Sequence, residues 1–209
     1  MPELFQSILL TLTALLSAVW IGAARRGYGE PDQPALFCAL LAFSLSAGTG
    51  ACAVARQGFG LDTVEAERWL LQATLLLGLP LVGVVALTLS RQWVWSRPTW
   101  GRVVIGLCAF FELARQLGWS SEYAFALGLT SAALVFYAGI LQWPARLQAF
   151  AGAAGGMLML ALMPLTGMTI GPNPLAAYEQ LCLALACPII AWLLLNLPGN
   201  LREENGAPV

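Results

Sequence analysis

Residues 103–119 read VVIGLCAFFELARQLGW, an apolar helical stretch that carries an acid, Glu112, and a guanidinium, Arg115, within its span. Residues three and four apart are neighbours on a helix, so Ile105, Cys108, Glu112, Arg115, Gln116 and Trp119 share one stripe, and the two charges are expected to pair. A lone charge near the centre of a bilayer costs at least ~2.5 kcal/mol, so such residues are expected to face the bundle interior and find a partner. Two readings stay open. The stripe is a ligand or ion site, or it is a self-neutralised pair that locks helices together, costly to break whether or not anything binds.

The rest of the chain makes a membrane the solvent of that stretch. With 209 residues, 59% hydrophobic and 10% charged, and a mean hydropathy of +0.75, the chain is too apolar for a soluble domain of its size. Runs long enough to cross ~30 Å of hydrocarbon occur at Leu4 to Ala23, Ala35 to Ala55, Trp69 to Leu89, Val103 to Trp119, Tyr123 to Leu141, Leu147 to Leu165 and Leu175 to Leu197. RRGYGEPDQP, RQGFGLDTVEAER, SRQWVWSRPTWGR and TGMTIGPNP separate the longer-spaced runs with Gly, Pro or charge, and GWSSE and QWPAR make tight hairpins. The expected fold is all-α: one polytopic domain of seven transmembrane helices over residues 1–200, followed by a disordered cytoplasmic tail at 201–209. MPELF lacks a positively charged n-region, so the first run is expected to remain in the mature protein.

Arginine placement gives an orientation, because cytoplasmic connections retain the positive excess. With the N-terminus outside, Arg25, Arg26, Arg91, Arg97, Arg102, Arg146 and Arg202 fall inside and Arg56, Arg68 and Arg115 outside, seven against three. Tryptophans sit at the ends of the runs, as interfacial anchors do. In this orientation Gln72, Glu112, Arg115, Gln116, Tyr178 and Glu179 all lie in the outer half, and they are the candidate ligand-binding residues. A cavity among them would open outward and stop before the cytoplasm. No polar path crosses the membrane as a channel would need.

Small-residue clusters mark close helix contacts. Ser46, Gly48 and Gly50 lie in SLSAGTGA of the second run, and Gly152 and Gly156 make a G-x-x-x-G in the sixth. The first cluster also admits a sharper reading, a helix unwound at Gly48 to Gly50 with carbonyls offered to a ligand. Pro80, Pro164 and Pro188 are expected to kink the third, sixth and seventh runs.

The inventory of chemistry is short. There is no histidine, the ten basic residues are all arginine, and the five cysteines follow no ligand spacing, so no metal site and no cofactor is expected and the cysteines read as packing residues. Net charge is −1 with no basic block, so neither nucleic acid nor an anionic lipid surface is expected as a partner. The absence of lysine removes a retinal Schiff base, and the absence of histidine removes a serine–histidine dyad. Arginine-only basicity with Ala, Leu and Gly richness points to a bacterial inner membrane.

In the second run Ser46 is followed four residues later by Gly50, and the seventh holds Glu179, Cys182 and Cys187. In size, span number and orientation the chain resembles the seven-helix membrane hydrolase superfamily of alkaline ceramidases and progestin and adipoQ receptors. That family carries a histidine four residues after the serine and paired histidines in its last span. The resemblance implies the seven-helix layout, but the zinc ligands are replaced and the amidase activity has no residue to rest on. Three classes of function therefore remain: a non-enzymatic binder or transporter of a small molecule or lipid, a structural or assembly subunit bound to another membrane protein, and a degenerate or metal-independent lipid hydrolase whose carboxylates would be Glu112 and Glu179.

Overall fold

A computed structural model describes residues 2–161 and 178–197, with the side chains of Pro2, Ala114, Arg115, Ser120, Ser121, Glu122 and Glu179 outside the described set. Pro164, the ends of the sixth and seventh runs, and the 201–209 tail also lie outside it. Among the described residues the chain is all helical: α1 (Pro2–Ala24), α2 (Gln33–Phe59), α3 (Val64–Ser90), α4 (Arg97–Gln116), α5 (Ser120–Ile140), α6 (Arg146–Ala161) and α7 (Glu179–Asn196). Four of these helices, α1, α2, α3 and α5, are long and apolar enough to cross a membrane.

On α1 the buried side carries Ser7, Leu10, Ala14, Ser17 and Ala18, while Leu12, Leu15, Leu16 and Val19 stand half to two-thirds exposed. Apart from Leu10 and Ile21 the buried residues of α1 are small or hydroxyl-bearing while large aliphatics stand outside, the pattern expected where lipid covers the outer face. The inner hydroxyls satisfy themselves along the helix: Thr11 Oγ1 donates to the carbonyl of Ser7 at 2.7 Å and Ser17 Oγ to that of Thr13 at 2.7 Å.

Six helices close into a ring, α1 against α2, α2 against α3, α3 against α5, α5 against α6, α6 against α7, and α7 back against α1. Helix α4 lies outside the ring and touches α2, α3 and α5 sparsely. The ring closes because small residues let its backbones meet. An added Cβ at Gly152 of α6 would sit 2.5 Å from the Cα of Gly139 on α5, and one at Gly83 of α3 would sit 3.0 Å from the Cα of Ser131 on α5. Helix α4 offers no such face: nothing lies within 4 Å of where a Cβ would be at Gly101 or Gly106.

Two helices begin earlier than the apolar runs suggest. VEAER, expected in a connection, forms the first turns of α3, and RPTWGR those of α4. Glu65 and Glu67 suit the positive end of α3. Arg56 holds that end against α2 with a two-pronged bond to Glu67, 2.7 and 3.2 Å. Ser96 starts α4, its carbonyl accepting from the N–H groups of Thr99 and Trp100, and Pro98 tolerates a first-turn position. Helix α2 stops at Gly60, whose φ of +66° fits a residue without a Cβ and aims its N–H back at the last carbonyls.

Pro80 is absorbed by a π turn. Over Thr74–Gly78 the helix widens, and the Leu79 N–H donates to the carbonyl of Thr74, five residues back. Such a turn relieves a helix at a residue that has no N–H to give. Its buried side is pinned to α2 by Thr74 and Thr49, whose hydroxyl oxygens are 3.2 Å apart. Pro188 lies inside α7, which continues through it.

Polar side chains close both ends of the ring. At one end Ser7, fully buried, contacts Gln180 Oε1 on α7 at 2.7 Å and Gln57 Oε1 on α2 at 3.4 Å. At the other, Tyr28 donates to the carbonyl of Leu195 at 2.6 Å, in the last turn of α7, where carbonyls run short of helical donors. Burial, followed by the charge of Asp32, pushes the Tyr28 phenol above its usual range.

One buried group breaks the pattern. Gln148 of α6 is 8% exposed, and among the described residues its Oε1 meets no donor. Removing an orphaned buried polar atom costs nothing in lost bonds, so Gln148→Met should leave thermal stability in detergent unchanged or raise it by up to about 1 kcal/mol. A clear fall in the unfolding midpoint would mean that the amide has a partner.

Candidate functional site

The stripe Trp69, Gln72, Ala73, Leu76 and Leu77 runs down one face of α3 at the spacing that places residues in line, and ends at the π turn. Opposite it stand Leu107, Cys108, Phe111 and Glu112 of α4. Because α4 stands off the ring, the two faces do not close, and a groove of about 250 Å³ remains between them. Its walls are apolar and aromatic, and the side chains with polar groups at its edge are Gln72, Glu112, Trp69 and the exposed thiol of Cys108.

Glu112 is half-buried and accepts a hydrogen bond from Gln116 Nε2 at 3.1 Å, one helical turn on. The expectation that it faces the bundle interior is not met. It faces a lateral groove, because the helix that carries it is excluded from the ring. Helix α4 holds Arg97, Arg102, Glu112 and Arg115, too many charges to bury among close-packed backbones, and it lacks the small-residue face that would admit it. Four residues separate Glu112 from the end of α4, about 6 Å along the axis at 1.5 Å per residue. The carboxylate therefore sits near one end of the bundle and not at its middle.

Of the residues singled out from the sequence, the structure brings Gln72, Glu112 and Gln116 together. Tyr178 precedes α7, half-exposed, and does not line the groove. The side chains of Arg115 and Glu179 lie outside the described residues, and so does the expected Glu112–Arg115 pair. Among the packing residues, Ser46 is buried and donates to the carbonyl of Ala42 at 3.3 Å. Gly50 abuts α1 and Gly48 faces the side chain of Leu70. Helix α2 runs unbroken through Gly48 to Gly50, so the unwound helix does not occur.

No family model, curated protein or solved structure matches this chain. Its chemistry is read from its own residues. A carboxylate accepts, a glutamine amide both donates and accepts, and an indole stacks or donates. Together around an apolar groove they suit a ligand that carries a hydrogen-bond donor or a positive charge on a hydrophobic body. Among the described residues no group of three or more His, Cys, Asp or Glu side chains comes together as a metal would require.

Sequence reading overlooked Trp69, Leu107 and Phe111. The 69, 72, 73, 76 spacing was visible, but spacing alone does not say which helix stands opposite. Ser7 was overlooked for a different reason: a serine in an apolar run is unremarkable until Gln57 and Gln180 from two other helices meet it.

Proposed function

We propose that this chain is a seven-span protein of a bacterial inner membrane, N-terminus outside and C-terminus in the cytoplasm, that binds a small molecule or lipid, without chemistry, in the groove on Gln72 and Glu112. The observation that carries the reading is that groove itself. A carboxylate and an amide line an otherwise apolar groove from its two opposing walls, one of which is a helix that the ring does not hold tightly. The arginine count puts this end outside, so the ligand arrives from the outer leaflet or the outer solution. A transporter would use the same site, with α4 as the element free to move.

Cys108 supplies the test, since its exposed thiol lines the groove. Full-length protein extracted gently from its own host's membrane should carry a discrete non-protein mass in native mass spectrometry, and that mass should slow maleimide labelling of Cys108. In Glu112→Gln the bound mass should fall about tenfold while the unfolding midpoint stays within about 0.5 kcal/mol of the parent. Loss of stability with no change in bound mass would instead make Glu112 a structural group.

A second reading has its own observation. Helix α4 is peripheral and exposes Ile105, Phe110 and Leu113, a surface that a helix of another membrane protein could cover in an assembly subunit. Its signature is a co-purifying membrane protein and no small ligand. The hydrolase alternative is the weakest supported. Ser46 is buried within α2, and among the described residues its hydrogen bond goes to its own helix.

A further inference from the structure

At the opposite end of α4 a second groove of about 610 Å³ opens between α2 and α4, and nothing in the reading above uses it. Its walls are Phe37, Leu41, Trp100 and Val104, with Arg25, Gln33 and Arg97 at the mouth. The volume falls in the range of ligand-binding clefts. Arg25 is held there by the ring of Phe37, its guanidinium carbon 5.2 Å from the centroid. Arg97 stands 4.0 Å from Glu30, a pair in which both side chains are more than three-quarters exposed. So exposed a pair is weak, and it leaves most of the five guanidinium donors of Arg97 open to another acceptor.

Two more features carry the same sign. Helices α2 and α4 both begin at this mouth, at Gln33 and Arg97, and the positive ends of their dipoles add to the guanidinium charges. The acids on the two connections at this end are Glu30 and Asp32. Set against them are Arg25, Arg26 and Arg91 on or beside the connections and Arg97 and Arg102 in the first turns of α4. Half-exposed Phe37 and largely exposed Ile105 continue the apolar wall outward to the bundle surface.

We infer that this groove is a seat for an anionic phospholipid, its phosphate between Arg25 and Arg97 and an acyl chain lying along Phe37, Trp100 and Val104. The combination decides the occupant. A soluble anion would have no use for the apolar wall, and a zwitterionic lipid would gain less from the arginines. The inference rests on the reading that these helices cross a membrane, and it is independent of the Glu112 groove.

The test uses full-length protein in a neutral detergent, with dioleoylphosphatidylglycerol and dioleoylphosphatidylcholine added in equal amounts and bound lipid counted by native mass spectrometry. Phosphatidylglycerol should be retained about tenfold over phosphatidylcholine, given roughly one tenfold step from two arginines partly offset by Glu30. The preference should vanish in R25Q/R97Q and persist in Arg146→Gln, which removes a charge from the start of α6, outside the groove. Gly101→Trp keeps both arginines and fills the groove from a position with open space over it, so it should fold and lose the lipid. Equal retention by the parent, or a preference that survives R25Q/R97Q or Gly101→Trp, overturns the inference, as does a co-purified protein displaced by Gly101→Trp with no lipid preference. An alkaline carbonate wash of the host membranes separates the two failures. Release of the chain removes the spanning reading and this site with it, whereas a retained chain without the lipid preference removes this site alone.

Discussion

Gly152→Leu is expected to unfold the bundle at concentrations of denaturant that leave the parent intact, a loss of more than about 3 kcal/mol. The cause is backbone meeting backbone. A Cβ at Gly152 would lie 2.5 Å from the Cα of Gly139, 2.9 Å from its nitrogen and 3.1 Å from the carbonyl oxygen of Val135. None of those atoms can rotate away, so α5 and α6 must separate along their length, and Gly156 loses its contact with Ala132 and Phe136 one turn further on. Gly139→Ala should behave similarly, since its Cβ would meet the Cα of Gly152 at 2.7 Å. The double alanine variant should cost less than the two singles together, because the first substitution has already opened the crossing. Gly106→Ala is the control: the position is equally glycine and equally helical, with open space above it, and it should stabilise by about 0.5–1 kcal/mol through helix propensity alone. A Gly152→Leu protein with the parent's unfolding midpoint would mean that α5 and α6 do not cross there.

That contrast separates what the sequence could say from what it could not. G-x-x-x-G spacing announces that some helix comes close at Gly152 and Gly156, because only small residues permit it. It does not announce α5, and no periodicity in one helix identifies its neighbour. The same gap explains α4. The Glu112 stripe was legible as a costly feature, and its cost suggested an interior position. What excludes α4 from the ring is a property of the other six helices, which close on one another through small-residue faces that α4 lacks. Glu112 then avoids the full penalty by lying near a helix end beside a lateral groove. The early starts of α3 and α4 were hidden because VEAER and RPTWGR are polar, and a polar turn stacked on an apolar helix reads as a loop. The π turn was hidden because Pro80 announces a disturbance without its form.

In the second helix the expectation is a reversal between two glycines two residues apart. Gly48→Ala should change stability by less than about 0.5 kcal/mol. Its Cβ would stand 3.5 Å from the Cδ1 of Leu70, an ordinary contact with the movable end of a side chain, and the gain in helix propensity offsets what little strain remains. Gly50→Ala should lose about 1–3 kcal/mol. There the Cβ would lie 2.6 Å from Thr11 Oγ1, 3.0 Å from the Thr11 nitrogen and 3.2 Å from the Ser7 carbonyl oxygen. Thr11 cannot yield, because its hydroxyl is tied to that carbonyl at 2.7 Å, and trimming it does not help, because the backbone nitrogen remains. Thr11→Ala combined with Gly50→Ala should therefore recover only a minor part of the loss. Displacing α1 also strains the polar knot above the crossing, where Ser7 meets Gln57 and Gln180, so Gly50→Ala should speed amide exchange at the first turns of α1 and α7 together. Equal effects at Gly48 and Gly50, or full rescue by Thr11→Ala, would mean that α2 presents a different face to α1. The ring would then have to close in another order, and α4 would lose the reason for its place outside it.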